Sequence, residues 1–116
     1  REGKAVFTGN VVVRDDTGEI SARRMEVYYE DDGDTIKYIE AYGNVKIIRD
    51  NLFARGQRAE YTVGADTLIL EEEAYIKDDQ GEFYADWMWI DLASEKLRMQ
   101  GNIKALLSRE SEDENQ

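Results

Sequence analysis

Three times in this chain a glycine is followed by an asparagine and then by a β-branched residue: Gly9-Asn10-Val11, Gly43-Asn44-Val45 and Gly101-Asn102-Ile103. Nothing else in the sequence limits the fold so strongly. Two turn segments repeat as well. "DDTGEISA" (residues 15–22) and "DDQGEFYA" (residues 78–85) both read Asp-Asp-x-Gly-Glu, a β-prone hydrophobic residue, x and Ala, sixty-three positions apart. Superposing the turns places Glu72-Glu73-Ala74 as a fourth, degenerate copy of the Gly-Asn element. The Asn-equivalent positions are then 10, 44, 73 and 102, with steps of 34, 29 and 29, and Ala22, Ala54 and Ala85 follow them by 12, 10 and 12. The middle interval is short because "RDN" replaces the longer turn. A period near 30 residues marks a tandem strand-turn-strand unit, and the two turn segments are the same hairpin corner.

Between the turns, β-branched and aromatic residues alternate with polar ones, as in "YIEAYGNVKII" and "TLILEEEAYI". Turn signals ("DDTG", "DDGD", "RDN", "VGAD", "DDQG", "ASEK") cut residues 4–107 into about seven segments of roughly 10–15 residues, longer than the usual strand. Strands of that length bend, and Gly9, Gly43 and Gly101 are the candidate kinks. The absence of proline suits long uninterrupted strands. The final stretch, 109–116, is polar and acidic without period, and reads as a disordered tail to a single domain over 1–108.

Alternation assigns the faces. One parity is apolar or small in every copy: Ala5, Phe7, Gly9, Val11 and Val13; Ile39, Ala41, Gly43, Val45 and Ile47; Leu68, Leu70, Ala74 and Ile76; Leu97, Met99, Gly101, Ile103 and Ala105. The return segments give Met25, Val27 and Tyr29; Ala59, Tyr61 and Val63; Met88, Ile90 and Leu92. There, Ile20 and Ala22, Leu52 and Ala54, and Phe83 and Ala85 fall on the opposite parity, so a bulge or a corner just after each alanine would bring both sets inward.

Composition removes whole classes of function. With 41% hydrophobic and 35% charged residues the chain is globular for most of its length. It has no cysteine and no histidine, so disulfides, thiolate chemistry and the commonest general base and metal ligand are excluded. The net charge of −11, from 15 basic and 26 acidic residues, would repel a phosphate backbone, which argues against nucleic acid as a partner. No stretch approaches the roughly 20 apolar residues of a membrane-spanning helix. The chain starts at Arg1 without a signal peptide and reads as a mature or trimmed fragment.

The segments "VFTGNVVV", "IEAYGNVKI", "LILEEEAYIK" and "FARGQRAEY" resemble the OstA-like, LptA-type periplasmic lipopolysaccharide-transport proteins. That family repeats a Gly-Asn-Val element, followed by a hydrophobic-x-small position and an aromatic about seven residues later. Here the later position is Tyr29, Tyr61 and Leu92. The resemblance covers about residues 4–107, and the chain departs from it in the Glu-Glu of the third copy and in its acidity. It implies an all-β jellyroll, like a folded taco, of two long antiparallel sheets with an apolar interior. It implies a non-catalytic carrier that moves lipopolysaccharide, or a related glycolipid, across the periplasm. The acyl chains would lie in a groove lined by Val11, Val13, Ile20, Met25, Val27, Ile39, Ala41, Val45, Ile47, Leu52, Ala59, Tyr61, Leu68, Leu70, Ala74, Ile76, Phe83, Met88, Ile90, Leu97 and Met99. Copies would join head to tail through edge residues Ala5, Val6, Phe7, Val12, Ile103 and Leu106, bridging inner and outer membranes with LptC-like and LptD-like components. No cofactor or metal is implied.

Other readings stand beside this one. Asp31-Asp32-Gly33-Asp34 suggests calcium, yet an EF-hand loop with Gly33 at its sixth position would begin at Tyr28, which is no ligand, so a solvated turn is expected. Glu71-Glu72-Glu73 occupies a repeat slot rather than an apolar acid–base site. Trp87 and Trp89 share a parity opposite to Met88 and Ile90, so one of the two pairs is core and the other faces out. The inward apolar set is equally the core of a purely structural, self-assembling β-repeat. The soluble part of an LptC-like protein or the N-terminal domain of an LptD-like one fits the same motifs. An enzyme acting on glycan lacks its catalytic groups. Small residues among large ones favour a groove, because sheets about 10 Å apart then leave room between them. A dry apolar slot gains about 0.8 kcal/mol per buried methylene.

Overall fold

The computed structural model describes residues 3–108, all of whose regular elements are strands. They are β1 (Lys4–Asp15), β2 (Gly18–Tyr29), β3 (Ile36–Arg49), β4 (Leu52–Thr62), β5 (Thr67–Asp78), β6 (Gly81–Asp91), β7 (Lys96–Gln100) and β8 (Lys104–Leu107). Neighbours in sequence pair antiparallel from β1 through β7, and β8 pairs with β6. The expected last long segment is thus β7 and β8 together, running along β6 and broken at Gly101-Asn102. Residues 109–116, where the acidic tail was expected, lie outside the described residues.

Each repeat element is a bulge. Between Thr8 and Val11, β1 takes three steps while β2 takes two, from Arg24 to Ala22. The same count recurs from Tyr42 to Val45 against Arg58 to Gly56, and from Glu71 to Ala74 against Trp87 to Ala85. On the other flank four steps face three, as from Gln100 to Lys104 against Trp87 to Tyr84. An extra residue of this kind bends a strand and sharpens its twist. Left-handed backbone makes it possible: φ is +84° at Gly43 and +49° at Asn44, and a Cβ on Gly43 would also stand 3.1 Å from the Arg23 side chain. Glu72 and Glu73 adopt φ of +64° and +65° at the same place, so the degenerate copy keeps the geometry without the favoured residues.

The bulges fold one sheet into two walls. Eleven extended residues of β4 at about 3.3 Å each would hold its ends more than about 30 Å apart. Yet Arg49, just before β4, contacts Asp66, just after it. The two expected sheets are therefore two halves of a single sheet creased along the line of bulges. Parity behaves as the repeat requires. Ala41 and Val45 are both buried four residues apart on β3, whereas Ala22 and Met25 on β2, and Ala85 and Met88 on β6, are buried three apart. The switch just after each alanine turns both halves of every strand toward one core. Seven strands at a spacing of about 4.8 Å give that interior a length of about 29 Å.

Candidate functional site

The interior between the walls is the site that the sequence singles out, and every residue expected to line a groove belongs to it. Met25, Val27, Ile39, Ala41, Val45, Ile47, Ala59, Leu68, Leu70, Ala74, Ile76, Met88 and Ile90 are buried in one cluster. Val11, Val13, Ile20, Leu52, Tyr61, Phe83, Leu97 and Met99 pack against it, half-buried. Along the crease the packing is tight, with Met25, Val45, Leu70 and Met88 fully buried. Toward the free rims of the walls it loosens into two cavities. One, of about 210 Å³, lies among Val13, Ile20, Ile39, Ile47, Tyr61 and Leu68. The other, of about 230 Å³, has Leu52, Ile76, Phe83, Ile90, Leu92 and Leu97 toward the core and a polar rim that includes Arg49, Asn51, Asp79 and Glu95.

Arg49 and Leu92 border both cavities. The Arg49 guanidinium donates to both carboxylate oxygens of Asp66, at 2.5 and 2.8 Å, and the Tyr61 hydroxyl donates to Asp66 at 3.0 Å. This pair crosses from the end of β3 on one wall to the β4–β5 turn on the other. The backbone holds both bearers. Arg49 is in register with Gly18 and Leu52, while Asp66, at φ +58°, donates its N–H to Thr62 O and accepts from Leu92 N–H, both at 2.9 Å. Arg49 holds the Asp66 carboxyl below its ordinary pKa, with burial opposing. Burial, then Asp66, pushes the Tyr61 phenol up. Sequence reasoning found Tyr61 but missed Arg49 and Asp66. Arg49 ends β3 beside a turn and Asp66 sits in one, where a charge is unremarkable, and only the crease brings residues seventeen positions apart together.

The ends of the trough differ from its middle. Among the described residues β1 pairs only with β2, and β7 and β8 only with β6, so both lateral edges of the described sheet are open. Val6, Phe7 and Val12 at one edge, and Ile103, Leu106 and Leu107 at the other, are exposed apolar residues. Ala5 is half-buried. Phe7, Ile103 and Ala105, all from the apolar parity, are exposed, as are the other edge candidates Val6, Val12 and Leu106. Phe7 stands opposite Met25 and Ala105 opposite Phe83, on the core side of the sheet, but no further strand among the described residues covers them. Leu107, the most exposed of the set, was not anticipated as an edge residue.

The other candidates resolve into structure. Met88 and Ile90 take the core side, leaving Trp87 and Trp89 half-buried on the outer face, where Arg98 lies 5.4 Å from the Trp89 ring. Asp32 accepts from the N–H groups of Asp34 and Thr35 and from the Thr35 hydroxyl, the bonding of a hairpin turn. Glu71 pairs with Arg58 at 2.6 Å and Glu73 accepts from Gln57 at 3.3 Å. One outer wall carries a polar lattice in which Glu26, the one buried charge among the described residues, meets Tyr28, Lys4 and Arg24.

Residues 1–96 match the sequence profile of a family described as LptA/(LptD N-terminal domain) LPS transport protein. The chain belongs to that family. Its members are transport proteins rather than enzymes. Among solved structures, this LptA-type chain matches LptH, the LptA homologous periplasmic component of the conserved lipopolysaccharide transport device from Pseudomonas aeruginosa. The TM-score is 0.83 at 14% identity, over 92% of this chain and 85% of the LptH chain. At that identity the likeness shows the fold, an all-β jellyroll. Comparison with curated protein sequences gave no match.

Proposed function

We propose that this LptA-type chain is a non-catalytic carrier that holds the acyl chains of lipopolysaccharide, or of a related glycolipid, between its walls in the periplasm. We further propose that copies join end to end so that the interiors form one path between the membranes. The observation that carries this reading is the apolar interior left uncovered at both lateral ends. Phe7 at β1, and Ala105 and Leu107 at β8, extend the core face to the sheet edges with none of the described residues over them. A closed structural core would cap those ends. A second copy pairing its β1 with β8 would cover the apolar side chains and satisfy free backbone donors and acceptors together. Such a contact is heterologous and does not close, so it builds filaments of variable length.

Two measurements test the reading. Native mass spectrometry of the purified protein is expected to show bound glycolipid. Protein that neither retains lipid nor takes up added lipopolysaccharide would favour the purely structural β-repeat. Sedimentation across a concentration series is expected to show lengthening oligomers, and Val6→Lys with Val12→Lys to abolish them. A wild type that stays monomeric at high concentration, or a variant that associates equally well, refutes end-to-end assembly. Because the family description spans LptA and the LptD N-terminal domain, a second reading places the chain within an LptD-like component, with LptC-like proteins as its neighbours.

A further inference from the structure

The cavities are too small for the proposed cargo. An apolar cavity of about 150 Å³ holds one benzene. Spaces of about 210 and 230 Å³ therefore admit a short stretch of one acyl chain, not the several chains of a glycolipid. The walls must part to load. Along the crease they cannot, because the backbone is continuous there. At the rim opposite the crease, what crosses between the cavities is Arg49 with Asp66 and Tyr61.

We propose that the Arg49–Asp66 pair is a clasp across the mouth of the trough, and that acyl chains reach the interior sideways, through the gap that opens when it parts. The proposal rests on the acyl-carrying reading above for its cargo, though not for its mechanics. Four features support it. The pair is bidentate, which fixes the separation of the walls as well as attracting them. Its side chains are about one quarter exposed, at 23% and 24%, so water is at hand to solvate the separated charges and parting is reversible. Both bearers are held by their own backbone contacts, so opening swings the walls rather than melting the turns. Finally, Arg49 and Leu92 border both cavities, so one opening joins them into a single slot.

The chain has no cysteine, which makes interior access directly measurable. Ile20→Cys reports on one cavity and Leu97→Cys on the other, read by the rate of maleimide labelling of the full chain. Adding Arg49→Ala, or separately Asp66→Asn, is expected to speed labelling at both positions about tenfold or more, with the circular dichroism spectrum unchanged. The exchanged pair Arg49→Asp with Asp66→Arg is expected to restore slow labelling. Unchanged labelling in both single variants, or acceleration at one cavity only, overturns the clasp. The same variants, without the cysteines, are then mixed with a fluorescent fatty acid. Faster uptake with faster labelling supports the sideways route. Faster labelling with uptake at the wild-type rate overturns that route, and no uptake by any protein, wild type included, removes the acyl-carrying reading while the labelling result decides the clasp.

Discussion

The crease and the mouth of this molecule are built from different materials. At the crease the shape is written into the backbone: one extra residue per odd segment, left-handed at Gly43-Asn44 and at Glu72-Glu73, with Met25, Val45, Leu70 and Met88 packed over it. At the mouth the shape depends on side chains, chiefly one ion pair about a quarter exposed, with a tyrosine behind it. Removing a bulge would change the register of every residue beyond it, whereas removing the ion pair frees only the rims. A container that must be rigid in form and still open needs this division. Glu72-Glu73 shows that the bulge tolerates unfavourable residues when its neighbours in the sheet impose the geometry.

The largest effect is expected at the crease. Leu70→Ala removes a fully buried side chain next to the crease, and is expected to cost about 3 kcal/mol in urea unfolding, within the usual span of about 2–5 kcal/mol. A loss below about 1 kcal/mol would mean that the crease is as loose as the rims.

Asp66→Asn should cost less, about 1–2 kcal/mol at neutral pH, since the pair is partly hydrated. Its pH dependence sharpens the contrast. The Asp66 carboxyl has a folded pKa below its ordinary value, owing first to Arg49. Such a group stabilises the fold fully above the unfolded pKa, near about 4, and loses that contribution as pH falls through the folded value. Wild type is therefore expected to lose stability below about pH 4, and Asp66→Asn to lose less over the same range. The acid slope will not vanish, because Asp15 and Asp32, bonded to Thr17 and Thr35, are depressed too. Equal slopes in the two proteins would show that the mouth contributes nothing to acid sensitivity.

A smaller effect, of opposite sign, is expected for Glu72→Gly. A side chain at φ +64° costs about 1–2 kcal/mol, and glycine returns about 0.5–1 kcal/mol of that through its greater freedom when unfolded. The variant is expected to gain about 0.5–1 kcal/mol, read as a higher urea midpoint with an unchanged slope. Destabilisation would show that the Glu72 side chain holds the third copy in place. The smallest effect is expected at the exposed β2–β3 turn. Asp31→Lys should leave stability within about 0.5 kcal/mol and lipid retention unaltered, because affinity comes from buried methylenes. Lost retention with the fold intact would reveal a polar or metal site there.

The repeat alone determined a good deal. A fixed period with alternating apolar residues leaves few ways to bury one face, so the strands, the irregularity after each alanine and the side of the sheet that the apolar residues take could be read from it. Even the degenerate copy was placed correctly, because register counts residues rather than identities. Tertiary structure decided the rest. Alternation says which side of a strand a residue occupies but not whether anything covers it, which is why Phe7 and Ala105 share the core side and stand exposed. It also treats two walls and one creased sheet alike. Only the crease sets Arg49 against Asp66, and a contact between a strand end and a polar turn leaves no periodic trace in the chain. Hydrophobic burial acts on every residue of a face and so writes a pattern, whereas an ion pair needs two side chains at one distance, which only the folded backbone fixes.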